Sequence, residues 1–186
     1  RIEMEITEHC NFSCPFCYNI WKKRKKHMTL STAKTIIDYL SKYKIFKVFY
    51  TGGEPLLNPN VIEIIKYARG KISQGIYTNG AFFSREIAEV LKSNGVRELI
   101  FSFHSADPQI YRKITGSGNL KQLIKAVKIA TNLGFDVTTE AVIVKETSRD
   151  IIKTIRMAEK LKVKRFGCLR FIKHKETGSI TLLSKE

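Results

Sequence analysis

The stretch Ile2-Glu3-Met4-Glu5-Ile6-Thr7-Glu8-His9-Cys10-Asn11-Phe12-Ser13-Cys14-Pro15-Phe16-Cys17 holds two signals side by side. Ile2, Met4 and Ile6 alternate with polar residues, the period of a strand with one apolar face. That strand runs directly into a loop carrying Cys-x3-Cys-x2-Cys, and three of the chain's four cysteines lie in it. A disulfide framework is a device of small secreted domains dense in cysteine, and 186 residues with one further cysteine do not fit it. The loop therefore points to metal or redox chemistry in a reducing compartment.

Outward from this stretch the chain alternates. Ala33, Ile36, Ile37 and Leu40 form the apolar stripe of a first helix. Phe46 to Tyr50 reads as a second strand ended by Thr51-Gly52-Gly53. Asn58 is the expected cap and Pro59 the first turn of a second helix with Val61, Ile64, Ile65 and Ala68 inward. A strand at Ser73 to Thr78, a helix at Ser84 to Lys92 and a strand at Glu98 to Phe103 follow. Asp107-Pro108 opens a helical turn, Gly116-Ser117-Gly118 interrupts it, and Leu123, Ala126, Val127 and Ala130 mark the next helix. Asp136 to Val144 is a fifth strand, Ser148 to Leu161 a fifth helix with Ile151, Ile155 and Ala158 inward, and Lys164 to Ile172 a sixth strand.

Six strands alternating with five helices predict right-handed βαβ units and a parallel sheet. The chain is too short for a closed eight-fold barrel, so an α/β partial (β/α)6 barrel is expected over residues 1–186 as one domain. A doubly wound Rossmann-like sheet is the rival topology. Arg1 opens straight onto a strand, so a natural start upstream is expected, and the far end is open to the same truncation. In either parallel architecture the loops after the strands share one rim. The cysteine loop, Gly52-Gly53-Glu54-Pro55, Thr78-Asn79-Gly80 and Ser102-Phe103-His104 all fall there.

A hydrophobic share of 43% places the chain among globular rather than disordered proteins. No apolar run approaches the roughly 20 residues that cross a bilayer, and no signal segment opens the chain, so a cytoplasmic protein is expected. The formal net charge is +16, with its densest run at Lys22-Lys23-Arg24-Lys25-Lys26. This run is either a solvated loop or a patch for an anionic partner such as RNA or an acidic peptide.

Three thiolates on one loop can each hold one corner of a cubane iron–sulfur cluster and leave the fourth iron open. A zinc site completed by His9 or Cys168, in a basic nucleic-acid-binding module, is one competing reading. A thiol oxidoreductase using Cys14 and Cys17 is another, though it leaves Cys10 idle. Glycines at 52 and 53 would let backbone approach a ligand closely. Glu140 interrupts an apolar strand, and an inward carboxylate is costly unless it binds something, so it is a pocket candidate. Thr78 and Asn79 line the same rim or form a plain turn. The isolated Cys168 reads as a small buried hydrophobe.

The cysteine loop with Phe16 before its last cysteine, followed in order by Thr51-Gly52-Gly53-Glu54-Pro55-Leu56 and Thr78-Asn79-Gly80, resembles the radical S-adenosylmethionine superfamily. The resemblance covers nearly the whole chain and is closest to the branch of the molybdopterin-precursor cyclase and the peptide maturases. It implies that Cys10, Cys14 and Cys17 hold a [4Fe-4S] cluster. It further implies that Phe16, Gly52, Gly53, Glu54, Ser102 and Leu169 surround S-adenosylmethionine, and Glu140, the pocket candidate of the fifth strand, is counted with these cofactor-binding residues. Glu54 is expected to aim its carboxylate or its backbone carbonyl at the cofactor's ammonium, Ser102 its hydroxyl at the carboxylate or ribose, and Leu169 to meet adenine. The implied chemistry is reductive cleavage of S-adenosylmethionine to a 5′-deoxyadenosyl radical, with electrons from a donor such as flavodoxin or ferredoxin. His104 departs from the acidic residue common at its position, which leaves it facing substrate or capping the next turn. The substrate stays open among peptide, nucleotide, tRNA base and metabolite.

Overall fold

A computed structural model describes residues 1–17, 19 and 25–171. Strands β1 (Ile2–Thr7), β2 (Lys47–Gly52), β3 (Ser73–Thr78), β4 (Val96–Ser102), β5 (Asp136–Ile143) and β6 (Arg165–Arg170) form one parallel sheet in the order β1-β2-β3-β4-β5-β6. This order decides against the Rossmann-like rival, whose strand order reverses at a switch point. Here every crossover steps to the next neighbour in one direction. With right-handed crossovers the helices then cover one face and the sheet curls around the other. The fold is the expected partial (β/α)6 barrel.

The helices are α1 (Leu30–Lys42), α2 (Val61–Ala68), α3 (Arg85–Ser93), α4 (Pro108–Thr115), α5 (Leu120–Asn132), α6 (Lys145–Ser148) and α7 (Ile151–Lys160). Several start where the sequence supplies a cap. Thr29 Oγ1 accepts from Thr32 N at 3.1 Å, Ser84 Oγ from Ile87 N at 3.3 Å, and Asp107 Oδ1 from Gln109 N at 2.8 Å. Pro108 stands at the first position of α4, where its missing N–H is harmless. Ile6, Tyr50, Ile76 and Phe101 bury the outer face of the sheet against Ile37, Ile64, Leu91 and Val127 of the helices. On the inner face, the Phe49 ring fills the hollow. A Cβ at Gly75 would lie 2.4 Å from that ring, and the Arg1 guanidinium sits over it 4.7 Å from the centroid.

Four local expectations need correction. Asn58 does not cap α2. A 3-10 turn at Pro55–Leu57 precedes it, and Asn58 instead accepts from Asn60 N at 2.8 Å and donates to Ile6 O at 2.6 Å, tying the turn to β1. The predicted fifth helix is two, α6 and α7. Ile155 is exposed, and the inward positions of α7 are Thr154 and Ala158, because Thr154 joins a buried polar knot with Asp150. Cys168 is exposed rather than core, since β6 is the edge strand and four of its six residues are exposed. Within the described residues, no helix is long and apolar enough to cross a membrane.

Candidate functional site

The cysteine loop leaves the C-terminal end of β1 and is held from three sides. On the β2 side, Gly53 N donates to Thr7 O and Glu54 N to His9 O, each at 2.7 Å. Side chains at the two glycines would abolish this approach. A Cβ at Gly52, whose φ is +137°, would lie 2.0 Å from Thr7 O, and one at Gly53 2.1 Å from His9 O. The glycines therefore serve the docking of the cysteine loop itself, a reason additional to the ligand approach expected of them. From the α4 side, Ser13 N donates to Thr115 O at 3.1 Å and Ser117 Oγ to Asn11 O at 3.0 Å. Gly116, with φ +77°, makes room there, because a Cβ would fall 2.1 Å from Ser13 Oγ. From β3, Asn79 Nδ2 donates to Asn11 Oδ1 at 2.8 Å.

Beside this loop opens a cavity of about 310 Å³. Its wall contains all three cysteines of the loop, together with Phe16, Gly52, Gly53, Ser102, Glu140 and Leu169. Thr78, Asn79 and His104 line it too. Glu54 is the one expected cofactor residue that does not. Its carboxylate is fully buried behind the wall and accepts from Asn79 N at 2.7 Å, Thr78 Oγ1 at 2.9 Å and Leu56 N at 3.2 Å. Burial pushes its pKa up to about 7 against those hydrogen bonds. The carboxylate thus braces the β2 and β3 loops rather than pointing into the cavity.

His104 is buried, and its Nδ1 accepts from Val142 N at 3.3 Å. That fixes the remaining ring proton on Nε2. Burial lowers its pKa to about 4, so the ring is neutral. Its ring meets Phe16 edge-on, with centroids 5.1 Å apart. Ser102 Oγ makes no hydrogen bond among the described residues. Just beyond, Asp150 Oδ2 gathers Ser105 Oγ at 2.6 Å and the N–H groups of Ala106 and Asp107, each at 3.0 Å, which anchors the loop after β4.

The donor set suits a cluster. Phe12 N donates to Cys10 Sγ and Asn19 N to Cys17 Sγ, each at 3.4 Å, the kind of contact that tunes cluster sulfurs. Burial raises the thiols of Cys10 and Cys14, and charge on Cys17 raises them further, so three thiolates here call for a cationic centre. Among the described residues no His, Cys, Asp or Glu side chains gather tightly enough to hold a single ion. Three thiols on one wall are the number that holds a cubane whose fourth iron is left to another ligand. The two residues considered as a fourth zinc ligand lie elsewhere. His9 Nε2 is 3.1 Å from Lys25 O with its ring stacked on His27, and Cys168 is outside the cavity wall.

Sequence reasoning missed Phe12, Thr51, Tyr77 and Val142 in the wall. Tyr77 was within reach, since it follows the outward Ile76 on β3 and so falls on the inner face. Asp150 and the grip of Thr115 on Ser13 carried no local signal. Lys22, Lys23 and Arg24 of the basic run lie outside the described residues. Lys25 and Lys26 lie at the rim, where Lys26 N donates to Glu8 Oε2 at 3.0 Å and Lys26 O accepts from Glu8 N at 2.9 Å.

Comparison with known proteins agrees with this geometry. Residues 4–158 match the Radical SAM superfamily. Curated relatives include GTP 3',8-cyclase of Aquifex aeolicus, 32% identical over 96% of this chain and 58% of that protein. The probable GTP 3',8-cyclase of Pyrococcus horikoshii is 30% identical over 82% of this chain and 49% of its own length. The chain spans about half the length of the curated relatives it matches. Streptococcus suis SuiB, solved bound to S-adenosylmethionine, superposes with a TM-score of 0.88 over 98% of this chain and 43% of that one, at 17% identity. The radical S-adenosylmethionine methyltransferase TsrM of Kitasatospora setae, solved with cobalamin and a [4Fe-4S] cluster, gives a TM-score of 0.74 at 17% identity, covering 90% of this chain and 36% of its own. At such identities the solved structures speak for the fold. The family match is what assigns the chain, running from within β1 into α7 across the whole cysteine loop: this protein belongs to the radical S-adenosylmethionine superfamily.

Proposed function

We propose that this chain is the catalytic core of a radical S-adenosylmethionine enzyme, with Cys10, Cys14 and Cys17 holding a [4Fe-4S] cluster and the adjoining cavity taking S-adenosylmethionine. The observation that carries this reading is one wall shared by the three thiols, the Gly52-Gly53 edge and the unengaged Ser102 hydroxyl. When bound, these cofactors supply a 5′-deoxyadenosyl radical, formed by one-electron cleavage of S-adenosylmethionine, that takes a hydrogen atom from substrate.

The protein's own residues bind, orient and exclude water. Thr7 O and His9 O, gripped by Gly53 and Glu54, fix where Cys10 starts. Phe16 packs on His104 and screens the loop from solvent on that side. Ser102 offers a hydroxyl to the cofactor's carboxylate or ribose, and half-exposed Leu169 an apolar cover for adenine. Glu54 acts through Asn79, which it holds against Asn11 of the loop. Lys25 and Lys26, beside Glu8 on the cluster side of the rim, suit an acidic electron donor of flavodoxin or ferredoxin type.

Anaerobic reconstitution tests the reading. The reconstituted chain should bind about four irons, absorb broadly near roughly 400 nm, and after reduction convert S-adenosylmethionine to 5′-deoxyadenosine and methionine. Cys10→Ala, Cys14→Ala and Cys17→Ala should each lose the colour, while Cys168→Ala on the exposed edge strand should keep it. Stoichiometric zinc with no visible absorption would overturn the proposal.

A further inference from the structure

The relatives named as GTP 3',8-cyclases act on a nucleoside triphosphate by name, and a polyphosphate is held by Arg, Lys or exposed backbone N–H groups. This chain contains 33 Lys and Arg, yet none of the described residues that line the cavity is either. The nearest cation below the cavity, Arg1, is already committed. It pairs with Glu3 Oε1 at 2.5 Å, donates to Tyr77 Oη and covers the Phe49 ring.

The wall carries a carboxylate instead. Glu140 on β5 stands in register with Ser102 of β4 and Gly167 of β6, one layer above Tyr77, Ile100 and Thr138. It makes no hydrogen bond or ion pair among the described residues, whereas the neighbouring Glu3 is taken by Arg1 and by Tyr77 Oη, 3.1 Å away. Gly167 keeps its flank open, since a Cβ there would lie 3.1 Å from Glu140 Cγ. Burial raises the Glu140 pKa and the Arg1 charge below opposes that rise without bonding to it, so a cation placed directly on the carboxylate would relieve the burial. Phe12, Phe16 and Tyr77 add aromatic surface to the wall, of which the Tyr77 ring already has the Arg1 guanidinium 5.9 Å from its centroid.

We infer that the floor of this cavity binds a substrate through a cationic nitrogen, an ammonium or guanidinium held by Glu140, and that it does not accept a nucleoside triphosphate. This rests on the enzyme reading above for the identity of the site, but the Glu140 floor can be probed with or without the cluster. Equilibrium dialysis of radiolabelled argininamide, lysinamide and GTP would be run on the chain both cluster-free and reconstituted with S-adenosylmethionine. Wild type should retain at least one of the two amides and exclude GTP. Glu140→Gln should lower amide retention at least tenfold, Glu140→Asp should recover part of it, and S-adenosylmethionine affinity should move less than twofold. Thermal melting and iron content control for folding of both variants. Retention of GTP, no retention of either amide by wild type, or amide retention unchanged in Glu140→Gln would each overturn the inference. So would a tenfold fall in S-adenosylmethionine affinity with amide retention intact, which would make Glu140 a cofactor ligand. A chain that takes up no cluster or S-adenosylmethionine would defeat the enzyme reading alone, because the cluster-free dialysis still reports on the floor.

Discussion

Gly53→Ala isolates the steric demand that brings the cluster loop to β2. Gly53 is not in the left-handed region, so the substitution adds no backbone strain of its own. Its new Cβ would sit 2.1 Å from His9 O, 2.5 Å from His9 C and 3.0 Å from Cys10 N. Restoring ordinary contact requires the loop to retreat by about 1 Å, beyond what a close-packed interior absorbs without repacking. That retreat stretches Gly53 N to Thr7 O and Glu54 N to His9 O, now 2.7 Å each, out of hydrogen-bonding range. At about 1–2 kcal/mol for each buried N–H left without its partner, the chain loses about 2–4 kcal/mol. Cys10 follows His9 directly, so iron uptake should fall with stability. Gly70→Ala is the control. Its φ of +77° carries strain of about 1 kcal/mol, but its Cβ meets nothing within 4 Å, so iron content should hold. Urea titration of the cluster-free chain and iron per chain after reconstitution read both effects. Gly53→Ala with wild-type iron and stability within 1 kcal/mol would refute the steric account.

Two further outcomes follow from buried charge. The folded pKa of His104 is about 4 against an ordinary 6.5, so its stability contribution is present above pH 6.5 and is lost as pH falls toward 4. That of Glu54 is about 7 against 4.5, so folding is favoured by its proton and loses stability as pH rises from 4.5 to 7. Each amounts to about 2 kcal/mol between pH 5 and 7 and they oppose, so wild-type stability in urea should be nearly flat across that range. His104→Asn should then lose stability as pH rises and Glu54→Gln should gain it; parallel curves for all three chains would refute the assignment. Asp150→Ala removes the acceptor shared by Ser105 Oγ, Ala106 N and Asp107 N, each of which keeps a second partner, and should cost about 1–3 kcal/mol in a urea titration, with weakened S-adenosylmethionine binding through Ser102. A loss below 1 kcal/mol would show that the β4 loop holds itself.

Much of the architecture was legible from local pattern. The alternation of Ile2, Met4 and Ile6 and the repeated helix stripes mark β1, α1 and α5 because burying one face imposes a period that the chain must carry in its sequence. The cysteine spacing was legible for a related reason, since ligands for one cluster on one loop need no tertiary contact to be recognised. Where the reading failed, the deciding partner was remote in sequence. Cys168 looked like core because its neighbours are strand residues, but only the strand order makes β6 an edge. Ile155 was displaced from the inner face of α7 by Thr154, whose partner Asp150 faces a loop more than forty residues earlier.

The sequence by itself determined the βα alternation, the common rim and the thiol ligands, because period, turn chemistry and ligand spacing are local. Tertiary structure alone decided that Gly52 and Gly53 serve the docking of the cysteine loop, and that Glu54 braces Asn79 from behind the wall. It also decided that Glu140 stands on the floor with no hydrogen bond or salt bridge among the described residues. Each of these depends on which atoms meet across strands that the chain separates by tens of residues, and the distance between a Cβ and a carbonyl on another strand is written in no local pattern.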